Sequence, residues 1–400
     1  MRQLPCGART GSLRGGVAYQ CHDLRQVDRV IVKKDLILTI NPGTTTTRLG
    51  LFEQQGVRVS AVLDQTIDHD ESVMAGFARI ADQLQFRSAA IASFLSAVPG
   101  GVRLAAVAGR GGMLSPVPAG VIEVNPALVT FALHTPVHHH ASNLGAPLAA
   151  QIAATAGCPA YVVDPVSVDE LPPVARVSGC PDIPRFSFVH ALNIRACGRR
   201  LADGLGKPFS DLDAVVAHLG AGISVAALKG GRIVESSNRM EMSPFSPERA
   251  GGLPPMPLID LCYSGRFDKE ALKKRLYGQG GVFAYLGTKD MRRVEAMIDA
   301  GDAAALLVWQ AMVYQIGKAI GAMAAVLNFR PDGIILTGGM AHSVRLSGVL
   351  RQQCEALAPV TLYPGSHESE ALAAGAARVL AGEETPRSWP VAPDVEPLPW

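Results

Sequence analysis

Residues 213–235, DAVVAHLGAGISVAALKGGRIVE, decide the fold. Asp213 to Ala217 is a short run of small and β-branched apolar residues, and it stops at the turn His218-Leu219-Gly220-Ala221-Gly222. Ile223 to Leu228 is a second such run, Gly230-Gly231 a second turn, and Arg232 to Glu235 a third strand. About 175 residues upstream the same order occurs. Asp35 to Asn41 (DLILTIN) runs into Pro42-Gly43 and four threonines, Thr46 to Glu53 follows, and Gly56 to Thr66 completes the set. A three-strand meander with a glycine turn, met twice at this distance, predicts an internally duplicated chain.

Outward from each meander the pattern becomes α/β. After the first, helical periodicity covers Glu71 to Val98, and a small buried strand, Leu104 to Ala108, enters Gly109-Arg110-Gly111-Gly112. A helix over Asn143 to Ala156 leads to a strand, Tyr161 to Val163, that ends at Asp164. Asp169 to Arg185 is rich in proline and reads as a loop, and Ser187 to Leu205 as a helix. After the second meander, helices start at Pro257 and Lys289, and a long apolar one spans Ala303 to Leu327. A strand, Ile334 to Leu336, enters Thr337-Gly338-Gly339; a last strand, Thr361 to Tyr363, precedes a last helix, Glu368 to Ala381. The expected organisation is a domain over 35–168 and a second over 169–365. The helix 366–382 is expected to pack back on the first domain, and 383–400 to form a loose Pro-rich tail.

Four hundred residues exceed one hydrophobic core, in keeping with two domains. With 48% hydrophobic and 18% charged residues the chain is neither disordered nor collagenous. The net charge of +2 is unevenly placed. Residues 1–34 hold seven Arg or Lys against Asp23 and Asp28, a local +5, so the remainder carries −3. That balance gives no basic stripe for nucleic acid. The first 34 residues lack an apolar h-region and are expected as a poorly ordered extension lying before a natural start near residue 36. Seven scattered cysteines without C-x-x-C predict reduced thiols and a cytoplasmic enzyme rather than a disulfide framework or zinc knuckle. The apolar stretch from Ala303 contains Gln310, Gln315 and Lys318, so it is expected as a buried core helix and no membrane partner is expected. Its apolarity also suits burial against a second copy, a homodimer or higher homo-oligomer.

Walker, Rossmann, zincin and nucleophile-elbow motifs are absent, and Ser224 stands mid-strand as a structural residue. Three glycine turns remain, each after a strand: Asn41 to Thr47, His218 to Gly222, and Thr337 to Gly339. A hairpin needs glycine in any case. Glycine also lets successive backbone N–H groups approach phosphate oxygens, and three such turns, two in duplicated positions, favour a phosphate cradle. Phosphoryl transfer further requires cations for the equatorial oxygens and a metal for the polyphosphate. Arg110 (GRGG) and Arg249 (ERAGG) lie in glycine-rich surroundings where a guanidinium fork binds phosphate or carboxylate. Asp164, after a hydrophobic strand, and Glu370, in the last helix, are candidate Mg²⁺ ligands. The run His138-His139-His140 cannot converge on one ion, which leaves one functional histidine and two bystanders. His190 and His218 are core histidines by default, and their context decides otherwise.

With these residues on the page, Ile37 to Arg48 (ILTINPGTTTTR) and His218 to Gly231 (HLGAGISVAALKGG) resemble the two signatures of the acetate and butyrate kinase family. The resemblance covers residues 36–382. Four stretches resemble its butyrate branch: VDPVSVDELPPVARVSG from 163, HALN from 190, SPFSPERAGGLP from 243 and YPGSHESEALAAGA from 363. The resemblance implies an α/β fold of two duplicated actin-like (ribonuclease H-like) domains around a nucleotide cleft. It implies reversible phosphoryl transfer from ATP to butyrate or a related short-chain fatty acid, giving an acyl phosphate and ADP, with Mg²⁺. It would place Asn41, Thr44, Thr46 and Arg48 at the phosphates and Arg110 and Arg249 on the carboxylate and the transferred group. His140 (or His139), His190 and His218 would line the phosphates with Gly220 and Gly222. Gly338 and Gly339 would meet the nucleotide, and Asp164 and Glu370 the Mg²⁺ shell. Asp164 would orient rather than abstract a proton. Acetate kinases usually carry Lys where Arg48 stands and Asn where Ala221 stands. The same fold also serves actin-like ATPases and conformational switches without an acid substrate, the alternative reading.

Overall fold

The computed structural model describes residues 35–98, 101–238 and 242–392, so the expected extension 1–34 and the end of the tail lie outside the described residues. The chain divides into two compact units. The first runs to Ser115 and adds Gly120–Pro165 and Glu368–Val391; the second holds Pro116–Ala119 and Val166–His367.

In the first unit, β1 (Asp35–Pro42), β2 (Thr46–Gln55) and β3 (Arg58–Asp68) form the meander, followed by β4 (Arg103–Arg110), β5 (Val121–Glu123) and β6 (Ala160–Val163). In the second, β7 (Ala214–Leu219), β8 (Ile223–Lys229) and β9 (Arg232–Ser236) repeat it, followed by β10 (Gly333–Gly338) and β11 (Val360–Pro364). A short β12 (Arg387–Ser388) pairs parallel to β5 in the first sheet. The sheet orders are β12-β5-β6-β4-β1-β2-β3 and β11-β10-β7-β8-β9. Read from the meander edge, β3-β2-β1-β4-β6 and β9-β8-β7-β10-β11 are the same topology. Two antiparallel pairings are followed by two parallel ones in each. The expected duplication is therefore present strand for strand, and β5 and β12 are additions peculiar to the first unit.

The central strands bury both faces, which is why they read as continuous apolar runs. Along β7, Val215, Ala217 and Leu219 face one core with Val225, while Ala214 and Val216 face another. The first of these cores is closed by the helix Ala303–Val326 through Ala305, Trp309, Met312, Val313, Ile316 and Ile320. Those positions recur at helical spacing, so one face of this 24-residue helix is core, while the other, with Leu307 and Tyr314, is exposed, where the sequence predicts a buried helix. By length and composition alone the same helix would pass as a membrane span. The other core is closed by the helix Ala191–Leu205 through Ile194, Cys197 and Leu201. In the first unit, Leu36, Leu38 and Ile40 pack with Ile91, Phe94, Leu144 and Leu148 on one face. The helix Glu368–Leu380 packs against β1, β3 and β4, and Gly375 lets it lie close on Val163.

Three local expectations are corrected. The helix read over Glu71 to Val98 is broken into Glu71–Ala75, a 3₁₀ turn Ile80–Gln83 and Leu84–Ser96. Asp70 caps the first piece, and it ends at Gly76, a poor helix residue. Helix Ser187 to Leu205 begins only at Ala191, so His190 stands at its N-terminal boundary rather than within it. The Pro-rich segment is not loose up to Trp389: β12 pairs with β5, Glu384 accepts from Val121 N–H at 2.8 Å, and Trp389 packs on Phe131 with ring centroids 5.0 Å apart.

Candidate active site

Parallel strands place their carboxyl ends side by side, and in α/β sheets that edge is where ligands bind. In the first unit β1, β4 and β6 are adjacent and parallel, so Asn41, Arg110 and Asp164 come to one edge. Arg110 forms an ion pair with Glu368, and the side chains are 18% and 11% exposed. Asn41 links the two: its Nδ2 donates to Glu368 Oε2 at 2.8 Å, and its Oδ1 accepts from Arg110 Nη1 at 3.4 Å. Glu368 occupies the first turn of the last helix and is buried, whereas Glu370 is exposed. Residues two apart on a helix point to different sides. The carboxylate brought to Arg110 is therefore Glu368; Glu370, expected from the sequence as a Mg²⁺ ligand, stands on the exposed side of the same turn. Asp164 is 4% exposed with φ 37°. Its Oδ1 accepts from Gly120 N–H at 2.8 Å, and its own N–H donates back to Gly120 O at 3.0 Å.

The β1–β2 turn supplies Thr44, exposed, and Thr46, half-buried. Arg48 lies on β2 and is bonded bidentately to Asp64 at 2.8 and 2.7 Å, which raises its pKa further above the usual arginine value. Its charge is thus shared across the β2–β3 pair. His140 is exposed and caps the turn Ala141–Leu144, with Nδ1 accepting from Ser142 N–H at 3.1 Å, so a neutral ring carries its proton on Nε2. His139 is exposed as well. Behind the turn lies a residue that inspection of motifs missed. Arg87, fully buried, heads the core stripe Arg87, Ala90, Ile91, Phe94 of the helix Leu84–Ser96. A charged residue at the first position of an apolar stripe was the available signal.

In the second unit β7, β10 and β11 end side by side at His218, Thr337 and Pro364. Gly338 has φ 88°, and a Cβ there would overlap the backbone of Leu219, so this glycine lets the turn after β10 touch the turn after β7. Gly339 opens a 3₁₀ turn to His342. Arg249 lies directly over Gly222: any side chain at that position would displace its guanidinium. Ser246 holds the approach, donating to Ala221 O at 2.6 Å and accepting from Arg249 N–H at 3.2 Å, while the guanidinium stacks 4.6 Å from the Tyr277 ring centre. Gly220 leaves His218 Nε2 close by, 3.1 Å from where a Cβ would stand.

His190 and His218 are stacked, 4.0 Å between centroids. His190 Nδ1 is 2.9 Å from Ser224 Oγ, which gives the mid-strand serine a partner in the site. Asn193, fully buried, fixes His218. Its Oδ1 accepts from His367 N–H at 3.3 Å, so its Nδ2 is the group that meets His218 Nδ1 at 2.8 Å and Thr337 Oγ1 at 3.1 Å. His218 Nδ1 must then accept, and the ring proton sits on Nε2, beside the glycine turn. Each unit thus presents a glycine turn with a guanidinium at the edge where parallel strands end. Such an arrangement binds and orients oxyanions.

Residues 182–388 match the family model described as the Acetokinase family. Over 354 residues the chain is 45% identical to "Probable butyrate kinase 2" of Caldanaerobacter subterraneus subsp. tengcongensis, covering 88% of this chain and 98% of that protein. Among solved structures, acetate kinase from Porphyromonas gingivalis matches with a TM-score of 0.66 at 18% identity, over 86% of this chain and 99% of that one. A propionate kinase from Francisella tularensis gives 0.64 at 15%, over 85% and 98%. At these identities the two structures speak for the fold, the duplicated α/β architecture read from the strand order.

Proposed function

The chain belongs to the acetokinase family, and we propose that it catalyses reversible phosphoryl transfer between ATP and a short-chain carboxylic acid, butyrate or a close relative, yielding an acyl phosphate and ADP. The observation that carries this reading is the 45% identity to "Probable butyrate kinase 2" over nearly that protein's full length. The glycine turns and guanidinium groups described above are of the type this chemistry requires.

In the forward direction a carboxylate oxygen attacks the γ-phosphorus, an O–P bond forms, and the bond to the β-phosphate oxygen breaks to release ADP. A carboxylate is ionised at pH 7, so no side chain has to remove a proton. Catalysis is then orientation and neutralisation of charge on the transferred group. In the first unit, Asn41, Thr44, Thr46 and the β1–β2 turn are assigned to phosphate oxygens, Arg110 to the carboxylate or transferred group, and His140 to a phosphate. In the second, Arg249 takes the corresponding role on a phosphoryl oxygen, and His190, His218, Gly220, Gly222, Gly338 and Gly339 line phosphates and nucleotide. Arg48, bonded to Asp64, contributes to the field rather than to a contact.

Among the described residues no three His, Cys, Asp or Glu side chains cluster into a cage. Asp164 and Glu370, with Glu368 beside it in the same turn, offer hard carboxylate oxygens, a donor set that fits Mg²⁺ held mainly by phosphates and water. When bound, Mg²⁺ would neutralise β- and γ-phosphate charge. Five free cysteines among the described residues and a nucleotide substrate support a cytoplasmic location. Self-association is proposed through the outer face of Ala303–Val326, where Leu307 and Tyr314 are 67% and 60% exposed. It is tested by sedimentation of the wild type against a Leu307→Glu, Tyr314→Glu variant.

The decisive assay is hydroxylamine trapping of acyl phosphate with ATP, Mg²⁺ and a panel of C2 to C5 acids. Acyl hydroxamate with a maximum near C4 is expected. ATP hydrolysis that is independent of acid, with no hydroxamate from any acid, would return the chain to the actin-like ATPase reading.

A further inference from the structure

The guanidinium of Arg87 is buried, and among the described residues no carboxylate pairs with it. Its five N–H groups are spent on oxygens of one short loop and one neighbour. Nη2 donates to Gly43 O and Thr44 O, both at 2.9 Å; Nη1 donates to Thr46 O at 2.7 Å and Thr47 Oγ1 at 2.9 Å. Nε donates to Gln83 Oε1 at 3.1 Å, and Nη2 shares that oxygen at 3.0 Å. Gly43 N–H closes the loop on Thr46 O at 2.8 Å. A buried charge left without a counter-charge is costly, so a fold that keeps one spends stability on it.

What the arrangement achieves follows from peptide geometry. In a trans peptide the C=O and the next N–H lie on opposite edges of the plane. Drawing the carbonyls of Gly43 and Thr44 toward Arg87 turns the N–H groups of Thr44 and Thr45 the other way. Two successive N–H groups on one side of a turn make an anion nest. Behind that nest stands a full positive charge in a poorly solvated interior, where its field is little screened.

We propose that Arg87 is a positioning residue for the polyphosphate of the nucleotide: it gathers the carbonyls of the β1–β2 turn on its own side and so holds the Thr44 and Thr45 amides toward a phosphate. This rests on the kinase reading for the identity of the ligand, and it assigns Arg87 no contact with the substrate.

The test compares the full-length wild type with Arg87→Lys, Arg87→Met and Gln83→Leu. Lysine keeps the charge but has three donors on a point, not a planar fork that can serve five acceptors. Gln83→Leu removes the support behind the guanidinium without touching the turn. Folding is followed by circular dichroism and thermal melting, and ADP binding by calorimetry with and without Mg²⁺. The KM for ATP and the KM for the acid are measured separately. In folded Arg87→Lys, ADP affinity and kcat/KM for ATP are expected to fall about 10- to 100-fold, while the KM for the acid moves less than about threefold. Gln83→Leu should show the same pattern at about threefold to tenfold.

Arg87→Met, if it folds, should be at least as weak as the lysine variant. A purely structural arginine would lower melting temperatures and leave ADP affinity of the folded variants within twofold of wild type, and that result overturns the proposal. If the wild type binds ADP but forms no hydroxamate, the kinase reading falls, and the ADP comparison still decides the role of Arg87. A wild type that binds no nucleotide overturns both.

Discussion

The two glycine turns occupy equivalent places in the duplicated topology, yet they are built from opposite sides. The turn after β1 has its cation behind it: Arg87 lies in the core and grips carbonyls. The turn after β7 has its cation in front: Arg249 rests on Gly222, and the support behind is the neutral amide of Asn193, which holds His218. A buried charge can shape a loop without reaching a ligand. A charge laid over a glycine can reach a ligand, but it depends on there being no side chain beneath it. The topology repeats, and the electrostatics are divided between the copies.

The front cations should carry the largest effects. Arg249→Ala and Arg110→Ala each remove a guanidinium from a strand-end edge, and each should lower kcat/KM for acyl phosphate formation by about 10³-fold or more. The melting temperature of Arg249→Ala should move little, because its guanidinium is half-buried and stacked on Tyr277 rather than gripped by core carbonyls. Near-wild-type turnover in either variant would remove that arginine from the chemistry.

Paired glycine substitutions sharpen the contrast. At Gly222 a methyl group meets Nη1, Cζ and Nη2 of Arg249, the flexible end of a side chain. Gly222→Ala should therefore fold normally but push the guanidinium off the turn, costing about 10²-fold in kcat/KM. At Gly43 the methyl meets chiefly Thr46 Oγ1, 2.6 Å away, a hydroxyl that can rotate aside. Gly43→Ala should stay within about threefold. Equal losses at both positions would mean that the two turns depend on their glycines in the same way.

The neutral support is tested at Asn193. Asn193→Leu leaves His218 Nδ1 buried without its donor and frees the ring to take the other tautomer, with its proton on the wrong nitrogen. A loss of about 30- to 100-fold in kcat/KM is expected, with less change in Asn193→His, which keeps a donor nearby. ¹⁵N chemical shifts of His218 would report the tautomer directly, and an unchanged Nε2–H form in Asn193→Leu would show that another contact fixes the ring.

How much of this was legible in the sequence follows the same division. Glycine, the strand runs and the approximate repeat are local, so the meanders, the three turns, Arg110 and Arg249 could be read from spacing. The supports are tertiary. Arg87 lies 40 residues from Thr47 in the chain, and Asn193 lies 144 from Thr337. Nothing in a short window couples such pairs. Glu368 was hidden for a different reason: it shares the first turn of one helix with Glu370, and only the rotation of that helix on the sheet brings Glu368 against Arg110. The break between Glu71–Ala75 and Leu84–Ser96 was masked by apolar residues that continue through it.

The smallest effect concerns the second titratable group behind the first turn. His69 Nε2 is 2.8 Å from Thr47 Oγ1, the hydroxyl that already accepts from Arg87 Nη1 at 2.9 Å. The hydroxyl proton then points to His69, whose Nε2 accepts, and the ring is neutral. Burial and then the nearby Arg87 charge lower the His69 pKa to about 4, with Asp68 opposing weakly. The unfolded chain binds this proton near pH 6.5 and the native one does not until near pH 4. Stability is therefore complete above pH 6.5 and declines as pH falls toward 4. The full separation corresponds to roughly 3 kcal/mol as an upper bound. Urea midpoints measured from pH 7.5 to 4.5 should fall in the wild type and fall less in His69→Gln. His218, at the equivalent edge of the second unit, is held by the neutral Asn193 rather than by a guanidinium. An acid sensitivity that survives unchanged in His69→Gln would place the titrating group elsewhere and leave the buried charge of the first turn without this consequence.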